Sequence, residues 1–271
     1  MKFLPVAACL ACALTGASLS AAMLPIQHLD SRTLTAFDAY VARFEKEAEQ
    51  PYIESGKMWM DSVSCCLRGP NFPSAKPALE PRQNGDVEGG SIHHYAGALH
   101  VPRGTIEDLR HIMEDYANYP RYFKPDVLKG SGSPEPDSTP NDEHFISHLS
   151  LTDTTLWVTV RYDCIYDTHY KRLDASHWHS RSTTDSIKEW RDAKDLTQGF
   201  YPEGDDHGFF WRTNTYWFAR EKNGGLDLEL DSLTLARTNP PGFKWYGAKR
   251  SHDAVDKMLR DAKAAIEALH R

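Results

Sequence analysis

Long apolar runs are absent from this sequence beyond its first 22 residues, and no block of lysine or arginine stands out. Without a run of about 20 apolar residues, no membrane-spanning helix is expected in the rest of the chain. The formal net charge is −7, from 31 Lys and Arg against 38 Asp and Glu. Nucleic acid is therefore not an expected partner, and an anionic membrane surface is not favoured.

Signatures of common catalytic and metal sites are also missing. The chain has no Gly-x-Ser-x-Gly elbow, no His-Glu-x-x-His and, after residue 22, no Cys-x-x-Cys. His177 and His179 lie two apart on a predicted strand and would share one face, but zinc sites usually show tighter ligand spacing. We predict no bound metal and no cofactor. The glycines at 130–132 and 224–225 are interpreted as turn glycines rather than phosphate-binding loops.

The first residues have the composition of an export signal. Lys2 precedes an apolar run from Phe3 to Leu14, and small residues follow up to Ala22. This pattern predicts a signal peptide over residues 1–22, a mature chain starting near Met23, and a periplasmic or secreted protein. A lipoprotein with Cys9 as the modified residue is the alternative.

Cleavage after residue 22 would leave an odd number of cysteines: Cys65, Cys66 and Cys164. In an oxidising compartment the simplest pairing joins Cys164 to one of the adjacent pair. A bond between the two adjacent cysteines would close a strained ring. Three free thiols are the other alternative.

The mature sequence begins with an amphipathic helix and an irregular segment. Apolar residues recur at steps of three and four, which predicts one buried stripe, formed by Leu34, Phe37, Val41, Phe44 and Ala48. Pro51 is expected to end this helix. Proline and glycine are frequent over 67–90, which predicts an irregular arm. Residues 23–90 are thus interpreted as an N-terminal helix and arm.

The main domain is placed at residues 91–271, where the periodicity of the sequence changes. Apolar and polar residues alternate in several segments, which predicts strands at 92–101, 145–151, 156–164, 177–184, 209–219 and 226–231. A helix is predicted at 105–116, a loop at 131–142 and a long amphipathic helix at 247–270. A run of antiparallel strands with separate helices is an α+β pattern.

One segment resembles a known superfamily. The stretch from Leu99 to Leu109 is followed by Asp115-Tyr116 and Tyr119-Pro120, and these match the turn and the tyrosine–proline segment of SRPBCC proteins, which include START domains, polyketide cyclases and Bet v 1-like proteins. The resemblance spans residues 91–269. It implies a helix-grip fold, in which a curved antiparallel sheet wraps around a long C-terminal helix and leaves an apolar cavity. With the export signal, an exported bacterial member is expected.

The resemblance implies that a small hydrophobic molecule (lipid, quinone or polyketide-like) is bound or transported in this cavity outside the cytoplasm. If the protein carries a lipid, we expect it to contact a membrane only transiently. A completely filled core is the alternative. Large apolar groups with a few hydroxyls are expected to line the pocket, namely Tyr119, Tyr122, Phe123, Val158, Val160, Tyr162, Trp211, Thr213, Thr215, Trp217, Leu228, Leu230, Met258, Leu259 and Ile266.

A second function is an enzyme of the cyclase, dehydratase or isomerase kind. Tyr162 or Tyr166 beside His177 or Asp163 would transfer a proton in the pocket. The alternative is that these tyrosines are wall residues whose hydroxyls are hydrogen-bonded. A third possibility is an interaction protein, whose segment 23–90 covers the pocket or docks a partner.

Overall fold

The computed structural model describes residues 25–62, 77–155, 158–239 and 244–271. The predicted signal peptide, Cys65 and Cys66 lie outside these residues. None of the helices in the described ranges combines the length and the apolarity needed to cross a membrane.

Within these ranges, a curved antiparallel sheet of eight strands carries a long C-terminal helix, so the predicted α+β helix-grip fold is confirmed. The strands are β1 (Gln27–His28), β2 (Ala78–Val87), β3 (Gly90–Pro102), β4 (Val127–Pro134), β5 (Asp142–Thr155), β6 (Val158–Arg172), β7 (His177–Glu189), β8 (Asp205–Asp206), β9 (Arg212–Lys222) and β10 (Gly225–Ala236). The order in the large sheet is β2-β3-β10-β9-β7-β6-β5-β4, and β1 pairs with β8.

The helices are α1 (Ser31–Phe44), α2 (Gln50–Ser55), α3 (Ile106–Glu114), α4 (Tyr119–Tyr122) and α5 (Lys244–Ala268). Thr105 caps α3, because its hydroxyl accepts from the amide of Asp108 and the Asp108 carboxylate accepts from the amide of Thr105. The turn between β9 and β10 has positive φ at Asn223 and Gly224, which a tight hairpin requires.

The C-terminal helix comes close to the sheet at Gly97 on β3. A Cβ atom there would lie 2.6 Å from a methyl carbon of Leu259 and 2.8 Å from one of Val255. Only a glycine permits this distance, since no side chain separates helix and strand. Leu228 and Leu230 of β10 complete the solid core at this end.

The N-terminal segment covers the other face of the sheet. Phe37, Val41 and Phe44 of α1 pack against Tyr216 and Phe218 of β9. The helical path does not end where predicted, because a π-helical stretch at 45–49 joins α1 to α2 and places Pro51 in the first turn of α2. Pro51 has no N–H to donate to the preceding turn, and the change to π-helical spacing lies directly before it. The path ends instead at Gly56, which is left-handed.

Buried polar groups join this segment to the sheet. His94 on β3 lies between the Tyr40 hydroxyl at 2.8 Å and the Asp231 carboxylate at 2.7 Å. Glu229 on β10 accepts from the amides of Trp59 and Met60. Glu229 of β10 is therefore partnered by the N-terminal segment, whereas Asp227 of the same strand is partnered by His100 and Arg220 of the sheet.

Two irregular segments predicted from proline content are strands in part. Residues 78–87, assigned to the irregular arm, form β2 and pair with β3, with a register shift at Pro81. Residues 131–134, assigned to a loop, belong to β4. Both strands lie at an edge of the sheet, where proline is tolerated because one side of the strand needs no ladder hydrogen bond.

Cys164 carries a free thiol on β6, which agrees with the alternative of free thiols and not with a bond to Cys65 or Cys66. The thiol is enclosed by the apolar cluster that also contains Val160, Tyr166 and Ile187. Burial raises the pKa of Cys164 to about 12, which leaves little reactive thiolate at neutral pH.

Tyr52 of α2 offers a test of how firmly the N-terminal segment is anchored. Its buried hydroxyl lies 2.9 Å from the carbonyl oxygen of Trp178 and 2.8 Å from that of Ala219, and its one proton is donated to this pair of acceptors. Replacement Tyr52→Phe should lower the free energy of unfolding by about 1–2 kcal/mol, because this bond is lost without replacement. Urea denaturation measures the change, and Tyr201→Phe, at a less buried tyrosine, is the control. Equal stability of Tyr52→Phe and wild type would contradict the anchoring role.

Candidate ligand-binding cavity

A cavity of about 380 Å³ lies between the concave face of the sheet and α5. Adjacent stripes of α5 have different roles: Val255 and Leu259 pack on the sheet, whereas Ala254 and Met258 line the cavity. The cavity therefore lies beside the solid core, over the strands β10, β9, β7, β6 and β5. Its volume is within the range of small-molecule sites in proteins.

The floor of the cavity is a row of hydroxyl groups. Thr168, Ser182, Thr215 and Ser232 are successive cross-strand partners on β6, β7, β9 and β10. Thr168 and Ser182 bond to each other at 2.8 Å. The hydroxyls of Ser180, Thr215 and Ser232 have no hydrogen-bond partner among the described residues, although all three line the cavity. These groups are available to a ligand.

Arg237, which follows β10, adds a positive charge to the lining. Its guanidinium donates to the carbonyl of His207 at 3.3 Å and lies 5.7 Å from the ring centre of Phe209. No carboxylate pairs with it in the described part of the chain. Burial lowers the pKa of Arg237 below its usual range. A partly buried, unpaired cation is costly, so an anionic or carbonyl group of a ligand would be stabilised here.

Tyrosines from the 3₁₀ turn Tyr116–Asn118, from α4 and from the strand β6 form one wall. The hydroxyls of Tyr116 and Tyr170 lie 2.7 Å apart, and those of Tyr119 and Tyr170 donate to the carbonyl of Met113. Their polar atoms are thus satisfied by the protein, and burial raises the pKa of Tyr119 and Tyr170 well above 10. These tyrosines act as neutral wall residues.

Tyr162 differs from them, because its buried hydroxyl has no hydrogen-bond partner in the described ranges. Burial, with the nearby charge of Glu189, raises the pKa of Tyr162 well above 10. Tyr162 therefore stays protonated at neutral pH and can donate a hydrogen bond, but it cannot act as a base.

Ion pairs close the rim of the cavity. Arg250 of α5 pairs with Asp153 of β5, and Lys257 of α5 lies 3.2 Å from Asp126. The side chains of Arg250 and Asp153 are 40% and 33% exposed. Exposed pairs contribute only about 0–1 kcal/mol, so the rim can open at small cost.

The structure brings about half of the predicted pocket residues together at the cavity. Those that line it are Tyr119, Phe123, Tyr162, Thr213, Thr215, Trp217 and Met258. Leu228, Leu230, Leu259 and Ile266 do not line it, because the close approach of α5 to Gly97 packs them into the solid core.

The remaining predicted pocket residues are placed elsewhere for different reasons. Val158 and Val160 share the inner face of β6 with Tyr162, but they are buried in an apolar cluster and do not line the cavity. Tyr122 turns its hydroxyl to Asp115 at 2.7 Å. Trp211 precedes β9, so strand alternation does not apply to it; it packs under α1 and donates to Asp206 at 3.0 Å.

The residues predicted for proton transfer are not assembled. Tyr162 lines the cavity, whereas Asp163 follows it on β6 and points to the opposite face. His177 lies on the outer face as well, where Asp174 holds its ring at 2.9 Å and the ring lies against Gly56. Tyr166 lines the cavity, but His177 and Asp163 do not line it.

Sequence reasoning missed several lining residues. Arg237 lies just beyond the end of a predicted strand, and no pattern in the sequence indicates the direction of its side chain. Ser180 and Ser182 could have been found, since alternation on β7 places them opposite His177 and His179. The row of hydroxyls could not be predicted without the strand order, because β7 pairs with β9 across an intervening loop.

Comparisons with known proteins concern the fold. No family model matches the chain, and no curated protein matches it. A STAR-related lipid transfer protein fragment from Xanthomonas axonopodis is 11% identical, with a TM-score of 0.45, over 70% of this chain and 98% of that one. Human STARD10 is 12% identical, with a TM-score of 0.45, over 80% and 84%. The Zhui aromatase/cyclase from Streptomyces sp. R1128 is 11% identical, with a TM-score of 0.39, over 66% and 96%.

The ion pairs at the rim allow a prediction about the rate at which a ligand enters the cavity. Replacement Arg250→Gln should accelerate uptake of the neutral fluorescent probe N-phenyl-1-naphthylamine by up to about fivefold, because one ion pair no longer holds α5 to β5. Stopped-flow fluorescence measures the rate, and 0.5 M NaCl should accelerate the wild type in the same direction. The control is Arg260→Gln, since Arg260 pairs with Asp256 on the same helix. Unchanged rates in both Arg250→Gln and high salt would exclude this gate.

Proposed function

We propose that this protein reversibly binds a compact apolar molecule that carries several oxygen atoms, one of them in an acidic or carbonyl group. The observation that carries the proposal is the combination of an apolar cavity with free hydroxyls and the unpaired Arg237. A ligand of this chemistry would satisfy both.

The size of the cavity narrows the ligand further. About 380 Å³ is near the lower end of the range for drug-sized ligands. A polycyclic or single-chain molecule fits this space better than a lipid with two acyl chains. Quinones, polyketide-like molecules and single-chain lipids are therefore favoured among hydrophobic ligands.

Binding and release are favoured over catalysis by the nature of the lining. The expected acid and base do not meet in the cavity, and the tyrosines there are held in their neutral form. The rim, closed by exposed ion pairs, suits repeated uptake and release. Export from the cytoplasm stays a prediction based on residues 1–22.

Thr215 lies in the middle of the cavity floor and allows the cavity to be tested by filling it. Replacement Thr215→Phe should abolish binding of N-phenyl-1-naphthylamine, because the ring occupies the ligand space. Thr215→Val keeps the volume and removes only the hydroxyl, so it should retain binding of this apolar probe. Fluorescence titration measures both, with circular dichroism as the check of folding. Wild-type affinity in a folded Thr215→Phe protein would refute binding at this cavity.

Arg237 allows the polar end of the ligand to be tested. Replacement Arg237→Met should weaken binding of the anionic probe 8-anilinonaphthalene-1-sulfonate by about 10–100-fold, the value of a hydrogen bond to a charged group. Affinity for the neutral N-phenyl-1-naphthylamine should change little.

The matched control is Arg212→Met, because Arg212 pairs with Glu203 outside the cavity. Equal losses for the anionic and the neutral probe would show that Arg237 shapes the cavity without recognising charge, and the acidic ligand class would then be withdrawn.

A further inference from the structure

A group of histidine and carboxylate side chains lies on the outer face of the sheet, away from the cavity. His144 on β5 and His169 on β6 are direct cross-strand partners. Asp167 lies two residues before His169 and therefore shares its face. One ligand atom from each of the three residues lies within 4.8 Å of the others.

The distances suit a small divalent cation. Nε2 of His144 is 3.2 Å from Oδ1 of Asp167, and Nε2 of His169 is 3.7 Å from the same atom. Ligands bound at about 2.0–2.1 Å in a tetrahedron are separated by about 3.3 Å. The rings are nearly parallel, so each must tilt out of the stack before both Nε2 lone pairs point at one ion.

The opposite ring nitrogens are already fixed. Nδ1 of His144 lies 2.7 Å from Asp137, and Nδ1 of His169 lies 2.9 Å from Asp142. A proton on each Nδ1 is thus held by a carboxylate, which leaves the lone pair of each Nε2 free for a metal. Histidines that bind metals are commonly oriented by carboxylates in this way.

Without a cation, the side chains of this group leave a buried ring nitrogen without a well-aligned hydrogen bond and several carboxylates close together. The two imidazole rings stack at 4.4 Å and are nearly parallel, so charging both by protonation would place like charges together. Nε2 of His144 is buried and makes no well-aligned hydrogen bond among the described residues. Lys171 neutralises part of the charge of Asp142, but Asp137 and Asp167 remain as an acidic surrounding.

We propose that His144, Asp167 and His169 bind a divalent transition-metal ion, with Zn²⁺ as the reference ion. Asp137 and Asp142 orient the two histidines, and water completes the coordination. Imidazole and carboxylate are suitable ligands for Zn²⁺. The site lies on the opposite face of the sheet from the cavity and is independent of the ligand proposed there.

Isothermal titration with Zn²⁺ tests the site. The wild type should bind one Zn²⁺ more tightly than His169→Gln and Asp167→Asn, each by at least about tenfold, since each variant loses a ligand. The matched control is His148→Gln, because His148 is exposed on the same face of β5 as His144. It should bind Zn²⁺ like the wild type.

Two further measurements separate this site from other possibilities. Co²⁺ should produce visible absorption bands of a tetrahedral site in the wild type and in His148→Gln, but not in His169→Gln. Binding of N-phenyl-1-naphthylamine should be unchanged in all variants, so failure here leaves the cavity proposal intact. Equal Zn²⁺ affinity of wild type and His169→Gln, or an equal loss in His148→Gln, would overturn the proposal.

Discussion

The contact between the C-terminal helix and Gly97 determines where this molecule is solid and where it is hollow. The missing side chain at Gly97 lets Val255 and Leu259 reach the backbone of β3. The helix is therefore held against one side of the concave sheet, and it cannot also fill the space above β7, β6 and β5. A larger residue at position 97 would lift the helix, and the boundary between core and cavity would move with it.

The two faces of the sheet bury polar groups by different means. On the outer face, Glu229 accepts from backbone amides of the N-terminal segment, and Asp231 lies 2.7 Å from His94 of β3. On the inner face, Ser180, Thr215 and Ser232 turn their hydroxyls to the cavity and have no hydrogen-bond partner in the part of the chain that the structure describes. A row of hydroxyls without a partner along one cavity points to that cavity as the place for a ligand.

Much of the fold could be predicted from the sequence, because alternation and capping are local. Thr213, Thr215 and Trp217 were placed on the correct face by alternation alone. The strand at 78–87 was missed because proline and glycine indicate irregular chain, and a sequence does not show that a strand will lie at an edge. Contacts between distant strands were also out of reach, and for that reason neither Arg237 nor the cross-strand pair His144–His169 was recognised.

The chemistry of the ligand can be argued from what an unsuitable ligand would cost. A pure hydrocarbon in the cavity would displace water from the open hydroxyls and from Arg237. It could not replace the hydrogen bonds that these groups make to water. Each buried polar group left unpaired costs about 1–3 kcal/mol, and a charged group costs more. Burying about 100 Å² of apolar surface, the size of a cyclohexyl group, gains about 2.5 kcal/mol. The penalty for several unpaired polar groups is therefore as large as the gain from one or more such units. An oxygenated ligand avoids the penalty, so the lining selects for oxygen atoms as well as for apolar surface.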